Sequence, residues 1–261
     1  MGKLIGQLFK EDFKSIILWL LLPFVSTLIF LQLLDVFYDS PLLGVGMVVS
    51  FTLLTIGPLI TLGIAAKNDN ERFYNKNGAF YSTLPLSSSS ITGARLINFI
   101  LVGLMIAVAT IINYLFLIYI NAYGSDLGEI FNSISDVLSQ IGSSKIFLGL
   151  LAIFTIGLYI VNIIMLGNTV GSTKFGKKSK WIPKIIFLVL FFVVGKISAK
   201  FQTYALDKYM SYIYNYGSTH IEVSGDVPTN AMALPIIINI VISAILYGLT
   251  YYFHDKKLSV N

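Results

Sequence analysis

Residues 96–120 read LINFILVGLMIAVATIINYLFLIYI, a run without a single charged side chain. A helix rises about 1.5 Å per residue, so a helical run of this length can cross the roughly 30 Å of hydrocarbon in a bilayer. Further apolar runs lie on either side of it, at 15–34, 42–66, 146–169, 185–205 and 232–253. We therefore predict an all-α membrane protein in which six transmembrane helices form a single transmembrane domain over residues 1–261.

The composition of the whole chain agrees with this class. Its 261 residues are 56% hydrophobic and only 12% charged, with a mean hydropathy of +0.79, whereas soluble domains carry about 25% charged residues. A chain of this length cannot hold six spans and a large soluble catalytic domain as well, so an ordinary soluble enzyme is excluded. Cysteine is absent, which excludes a disulfide framework and a thiolate metal site.

Charged residues are distributed unevenly between the two sides of the predicted membrane. Fourteen Lys and Arg lie in the N-terminal segment, in 67–95, in 172–184 and in the C-terminal segment, whereas the alternate loops hold two. Because Lys and Arg accumulate in cytoplasmic loops, we predict that the N and C termini are both cytoplasmic. The net charge of +5 then faces the anionic lipids of the inner leaflet. Membrane lipid is accordingly a predicted partner, and nucleic acid is not.

The first fourteen residues have an amphipathic pattern. Helical spacing places on one face the apolar residues Leu4, Ile5, Leu8, Phe9 and Phe13. The remaining surface is assigned to the polar residues Lys3, Lys10, Glu11 and Asp12. This pattern predicts an interfacial helix over 1–14 at the inner leaflet. Both an anchoring role for the first span and contact with a partner are compatible with it.

The segment 67–95, between the second and third spans, is polar yet carries several rings. Phe73, Tyr74, Phe80 and Tyr81 lie on a stretch too short to bury them in a domain of its own. Rings that project from a short loop suit a groove on another protein, and they equally suit the headgroup region of a bilayer. The serines at 87–90 offer N-cap oxygens to the third span.

Two lysines interrupt the fifth span. Lys196 and Lys200 are one helical turn apart and share a face. At about 1.5 Å per residue, Lys196 lies roughly 18 Å along the helix from Lys184. An unpaired ammonium in hydrocarbon is costly, so these side chains must snorkel outward, pair with an acid or face a wet cavity. As a candidate translocation path, the two lysines would favour anionic groups or carbonyl dipoles on a substrate.

Motifs for catalysis, metal binding and nucleotide binding are missing. His220 and His254 are the only histidines; the predicted topology puts them on opposite sides of the membrane, and no zinc-binding spacing occurs. The segment 171–178, GSTKFGKK, follows the phosphate-binding pattern until Lys178 replaces the Ser or Thr that would ligate magnesium. We predict that the chain holds no metal, binds no cofactor and is not an enzyme.

The order of these segments resembles the ABC-2 type permease subunits of ATP-binding-cassette exporters. The resemblance is carried by ERFYNKNGAFY at 71–81, by STLPLS at 82–87 and by Arg95 at the start of the third span. It implies that 67–95 is a cytoplasmic coupling loop that docks on a separate ABC ATPase subunit, present in two copies, which holds ATP and Mg. The ATPase-docking residues that it implies are Glu71, Arg72, Phe73, Tyr74, Phe80 and Tyr81.

Within that family, the short chain looks like a bacterial half-transporter that pairs with a second permease chain, identical or related, in the bacterial plasma membrane. It is similar to exporters of small amphipathic peptides, including those for phenol-soluble modulins and those that confer immunity to bacteriocins. The implied function is export of an amphipathic or hydrophobic substrate, with a small peptide as the favoured candidate. The competing hypothesis is a non-transport scaffold or immunity protein that sequesters a peptide without ATP. An intramembrane enzyme is disfavoured by the missing catalytic residues.

Overall fold

A computed structural model describes residues 1–36, 41–74, 85–121, 142–173, 181–214 and 229–258, with six single positions between 128 and 139. All regular structure in these ranges is α-helical, which confirms the all-α prediction. The helices are α1 (Gly2–Val36), α2 (Pro41–Tyr74), α3 (Ser88–Asn121), α4 (Ser143–Gly171), α5 (Ile182–Tyr214) and α6 (Thr229–Leu258).

Several of these helices are long and apolar enough to cross a membrane. Five such segments occur among the described residues, at Gly2–Phe30, Gly44–Tyr74, Ser88–Leu115, Ser143–Gly171 and Ala233–Lys256. The remaining helix, α5, has 33 residues and carries Lys196 and Lys200 within its length. The chain is therefore a multi-pass helical membrane protein.

The helices extend beyond the predicted spans. Helix α1 runs unbroken from Gly2 to Val36, so the segment 1–14 is not a separate interfacial helix but the first turns of the first long helix. Helix α2 likewise continues to Tyr74, so 67–74 is helical rather than part of a loop. Neither Gly nor Pro stands between Ala65 and Tyr74, and the backbone hydrogen bonds of a helix continue where no breaker stops them.

The start of α3 agrees with the capping prediction. The backbone N–H of Ser90 donates a hydrogen bond of 3.3 Å to Ser87 Oγ. The helix begins at Ser88, directly after this capping serine. A serine oxygen here satisfies one of the N–H groups that have no partner within the helix.

The chain divides into two compact units, a division that the hydropathy pattern does not reveal. The first unit, Met1–Ser125, contains α1, α2 and α3, each packed against the other two. Along α1 its buried apolar side chains lie four or eight residues apart, at Leu4, Leu8, Ile16 and Leu20. This spacing forms one ridge along the helix, which packs into the groove of its neighbours.

The second unit, Asp126–Asn261, contains α4, α5 and α6, again with contacts between every pair. Its apolar core contains Tyr159, Ile163, Leu166, Val194 and Leu246. A polar contact lies in the same unit, where Ser198 Oγ donates a hydrogen bond of 3.2 Å to Asn239 Oδ1. Both side chains are buried, and such pairs hold transmembrane helices in one register.

Close packing of α1 against α2 makes one glycine intolerant of a side chain. A Cβ atom on Gly46 would overlap the ring of Phe30. We expect Gly46→Ala to lower the free energy of unfolding by about 1–3 kcal/mol, because overpacking forces the ring or the helices to move. The apparent melting temperature in detergent micelles measures this loss.

The matched control for that variant is Gly63→Ala, on the same helix. A Cβ atom on Gly63 would have nothing within 4 Å, so the change should leave stability unaltered or raise it through better helix propensity. Equal melting temperatures for the two variants would contradict the close approach of Phe30 to α2.

Candidate functional site: a buried charge cluster in the first unit

Charged side chains from all three helices of the first unit meet in a buried cluster. Helix α1 provides Asp12, α2 provides Asp69 and Arg72, and α3 provides Arg95. Asp12 follows Leu8 and precedes Ile16 by four residues, so the ridge that packs α1 against its neighbours carries this carboxylate inward. Asp12 and Arg95 are each only 1% exposed.

One half of the cluster is a forked ion pair between α2 and α3. Arg95 Nε and Nη2 donate to Asp69 Oδ1 and Oδ2 over 2.7 Å and 2.6 Å, which is the two-pronged geometry that guanidinium and carboxylate prefer. Arg95 Nη1 also donates to Tyr74 Oη at 2.5 Å. The guanidinium carbon lies 5.2 Å from the ring centroid of Phe73 and 5.0 Å from that of Tyr74, within the range of cation–π attraction.

The other half is centred on Asp12, which accepts hydrogen bonds from two helices. Its Oδ1 accepts from Asn68 Nδ2 at 2.8 Å and from Arg72 Nη2 at 2.7 Å, both on α2. Its Oδ2 accepts from Asn98 Nδ2 on α3 at 2.6 Å. Arg72 also contacts Glu11 on α1 through its Nε, at 2.9 Å. A single carboxylate therefore joins α1 to both other helices of the unit.

An apolar cluster lies beside these charges and shields the side that faces Arg95. It contains Leu4 and Leu8 from α1, Phe73 from α2, and Ile91 and Ala94 from α3. Coulombic attraction is stronger where water is excluded, and the cost of leaving a charge unpaired rises for the same reason.

This geometry suits a mechanical role better than a catalytic one. Each buried carboxylate faces a guanidinium, which stays protonated in proteins. Buried ion pairs contribute little net stability compared with apolar side chains of the same size, but breaking one costs several kcal/mol. The cluster therefore penalises arrangements in which α1, α2 and α3 separate at this end.

Three of the six predicted docking residues, Arg72, Phe73 and Tyr74, have side chains engaged within the first unit. Arg72 and Phe73 are buried, and Tyr74 is half-buried with its hydroxyl on Arg95. Helix α2 continues past the predicted span and places these side chains against α1 and α3. Asp12 was predicted on the polar surface of the first helix. It is buried because it lies on the ridge of α1 that packs against α2 and α3.

Glu71, another predicted docking residue, lies at the surface of the same helix. Glu71 is partly exposed and lies 3.8 Å from Lys67 across one helical turn. It borders an open surface cavity of about 320 Å³, whose lining includes Glu11, Lys14, Ser15, Asn68 and Arg72. Phe80 and Tyr81 lie outside the described residues.

The two lysines of the candidate translocation path are in the second unit, on α5. Both Lys196 and Lys200 are exposed, whereas Val194 and Ser198 on the opposite side of the helix are buried. Neither lysine forms an ion pair with an acid in the described ranges. Within its own unit, α5 therefore turns these ammonium groups away from the packed face.

Sequence reasoning missed Asp12, Asp69 and Asn98 as members of this site. One signal existed for Asp12, because it occupies a position within the four-residue apolar repeat of α1. Asn98 similarly interrupts an apolar run, and polar groups in such runs usually have a protein partner. Nothing in the local pattern identified Asp69 as the partner of Arg95.

No group of three or more metal-ligating side chains occurs in the part of the chain that was searched, the described residues. Comparison of the chain with protein-family models, with curated proteins and with solved structures finds no match.

Proposed function

We propose that this chain is the permease subunit of an ATP-driven ABC exporter in a bacterial plasma membrane. In this proposal it pairs with a second permease chain, identical or related, and with two copies of a separate ATPase that bind ATP and Mg. The substrate is an amphipathic or hydrophobic molecule, a small peptide in the first instance. The single observation that carries the proposal is the buried charge cluster that ties α1 and α3 to the end of α2.

The cluster supports coupling because of its place along the chain. Helix α2 ends at Tyr74 and α3 begins at Ser88, so the connection between them is short. Asp69 and Arg95 lie close to its two ends and are joined by the forked ion pair. A force applied to this connection by an ATPase would reach α2 and α3 together, and α1 through Asp12.

In this proposal the buried residues do not contact the ATPase directly. Arg72, Phe73 and Tyr74 transmit the movement, because their side chains are engaged within the unit. Direct docking is assigned to the connection itself, where Phe80 and Tyr81 supply rings. Aromatic side chains are the usual anchors of such contacts.

Lys196 and Lys200 support a path that accepts polar groups. Charged residues within spans usually face a bundle interior or a water-filled cavity. Because both lysines point away from the packed face of their own unit, a path lined by them requires another surface opposite α5. A second permease chain would provide one.

The proposal is tested by the variant Phe80→Ala/Tyr81→Ala, co-expressed with a candidate ABC ATPase. We expect it to lose co-purification of the ATPase and peptide-stimulated ATP hydrolysis in lipid nanodiscs, while its melting temperature stays unchanged. The matched control is Phe147→Ala/Phe154→Ala, which removes two exposed rings of α4 and should leave both signals intact.

Other outcomes count against the proposal. Unchanged ATPase binding by the Phe80→Ala/Tyr81→Ala variant would show that the connection is not the docking element. If the unaltered chain binds no ATPase but still protects cells from an amphipathic peptide, the chain is a scaffold or immunity protein that acts without ATP.

A further inference from the structure

Two lysines at one end of the second unit are each held over an aromatic ring. Lys184 Nζ lies 4.6 Å from the ring centroid of Trp181, next to the start of α5. Lys256 Nζ lies 5.5 Å from the ring centroid of Tyr252, in the last turns of α6. Both distances are within cation–π range. We call these four residues the aromatic–lysine surface.

The two pairs belong to the same end of the unit. Phe187, one turn after Lys184, packs in the same core cluster as Phe253 of α6 and Val170 of α4. Since Phe253 directly follows Tyr252, the start of α5 and the end of α6 both border this cluster. The two lysine–ring pairs therefore belong to the same end of the unit.

Both pairs are open to the surroundings. Trp181 is 65% exposed and Tyr252 is 47% exposed, and both lysines are exposed as well. Neither ammonium forms an ion pair with a carboxylate of the described residues. A ring orients an ammonium but leaves its positive charge in place, so the surface presents two oriented cations.

The adjoining surface is apolar. The turns of α5 after Lys184 and the turns of α6 before Tyr252 expose large apolar side chains: Ile185, Leu188, Phe192, Ile245 and Leu249. A soluble partner would have to cover both a charged end and a long apolar flank. A lipid monolayer matches both, because its headgroups lie beside its acyl chains.

We propose that the aromatic–lysine surface binds the phosphate of an anionic phospholipid. Lys184 and Lys256 contact the headgroup, while Trp181 and Tyr252 lie at the boundary between headgroups and acyl chains, where such rings are enriched. This proposal stands apart from the export function, because it rests on different residues in a different unit.

Fluorescence of Trp181 tests this directly in the full-length chain. The chain contains two tryptophans, Trp19 and Trp181, so Trp19→Phe leaves a single reporter. Two samples of phosphatidylcholine nanodiscs are compared, one with brominated phosphatidylglycerol and one with the same fraction of brominated phosphatidylcholine. The bromine atoms of either lipid quench the fluorescence of a nearby indole. We expect phosphatidylglycerol to show at least about a fivefold greater relative affinity at Trp181, equivalent to about 1 kcal/mol for one surface lysine.

Charge variants identify the groups responsible. Lys184→Gln/Lys256→Gln should reduce the preference to near one, and Lys184→Arg/Lys256→Arg should retain it. Lys145→Gln, at the opposite end of α4, changes the net charge without touching this surface and should also retain the preference. Equal quenching by the two brominated lipids in the unaltered surface, or an equal loss in Lys145→Gln, would overturn the proposal.

Discussion

Replacing Arg95 by methionine is expected to lower the free energy of unfolding by about 3–5 kcal/mol, the cost of leaving one member of a buried ion pair without its partner. Asp69 would keep its place in a site that is 4% exposed and would lose both prongs of the guanidinium fork. The hydroxyl of Tyr74 would lose its donor as well. Thermal unfolding in detergent micelles measures the effect.

A second variant keeps this test readable if Arg95→Met fails to fold. Arg95→Met/Asp69→Leu removes both charges, and an apolar pair of similar volume is often as stable as the buried ion pair it replaces. We expect most of the lost stability to return, and the double-mutant cycle to show strong coupling. If Arg95→Met is as stable as the unaltered chain, the ion pair is not buried as described.

The matched surface control is Lys67→Met. Its ion pair with Glu71 spans 3.8 Å between side chains that are 72% and 42% exposed. Exposed pairs of this kind contribute less than about 1 kcal/mol, so the melting temperature should change little.

Replacing Asp12 by alanine is expected to cost about 3 kcal/mol, the lower end of the range for breaking a buried ion pair. The change leaves Arg72, Asn68 and Asn98 without their shared acceptor. The cost stays at the lower end because Glu11 still contacts Arg72. The loss should be local in character, since Asp12 is the polar link from α1 to both neighbouring helices.

Amide hydrogen exchange of the intact protein in nanodiscs distinguishes this local effect from general destabilisation. We expect faster exchange in the first turns of α1, while the amides of α4 keep their protection. Glu11→Ala is the matched control, because it makes the same kind of change one residue away on a side chain that is 42% exposed. Equal exchange in the two variants would contradict the central role of Asp12.

Asp12→Ala and Phe80→Ala/Tyr81→Ala together test the proposed coupling. If the charge cluster transmits movement, Asp12→Ala should weaken peptide-stimulated ATP hydrolysis more than it weakens ATPase binding, because the connection that docks is unaltered. The variant of Phe80 and Tyr81 should show the reverse order, with binding lost first.

Much of the fold was predictable because the relevant information is local. The run 96–120 specifies a helix by its length and lack of charge, and Ser87 marks where that helix begins. The lengths of the helices were less predictable. The point where an apolar run gives way to polar residues marks the edge of the bilayer, but it does not stop the backbone hydrogen bonds of the helix. Residues 67–74 illustrate this, because they are polar and yet continue α2.

The candidate site was predictable only in part. Aromatic residues near 73–81 drew attention to the right region, and Arg95 was noted at the start of the third span. Phe73 packs against α1 and α3, a contact that the sequence did not predict, and its docking role stays a prediction. Residue type indicated that a ring was present there, but not which way the continuing helix would turn it.

By itself the sequence determined a helical membrane protein with several long apolar segments and unevenly placed charges, because length, hydropathy and charge are properties of single segments. Only the tertiary structure decided that Asp12 pairs with Arg72 and Asn98, and Asp69 with Arg95. These partners are far apart along the chain, and their meeting depends on which faces of α1, α2 and α3 pack together. Once the apolar ridge of α1 is buried, its one carboxylate is buried with it and must be neutralised there.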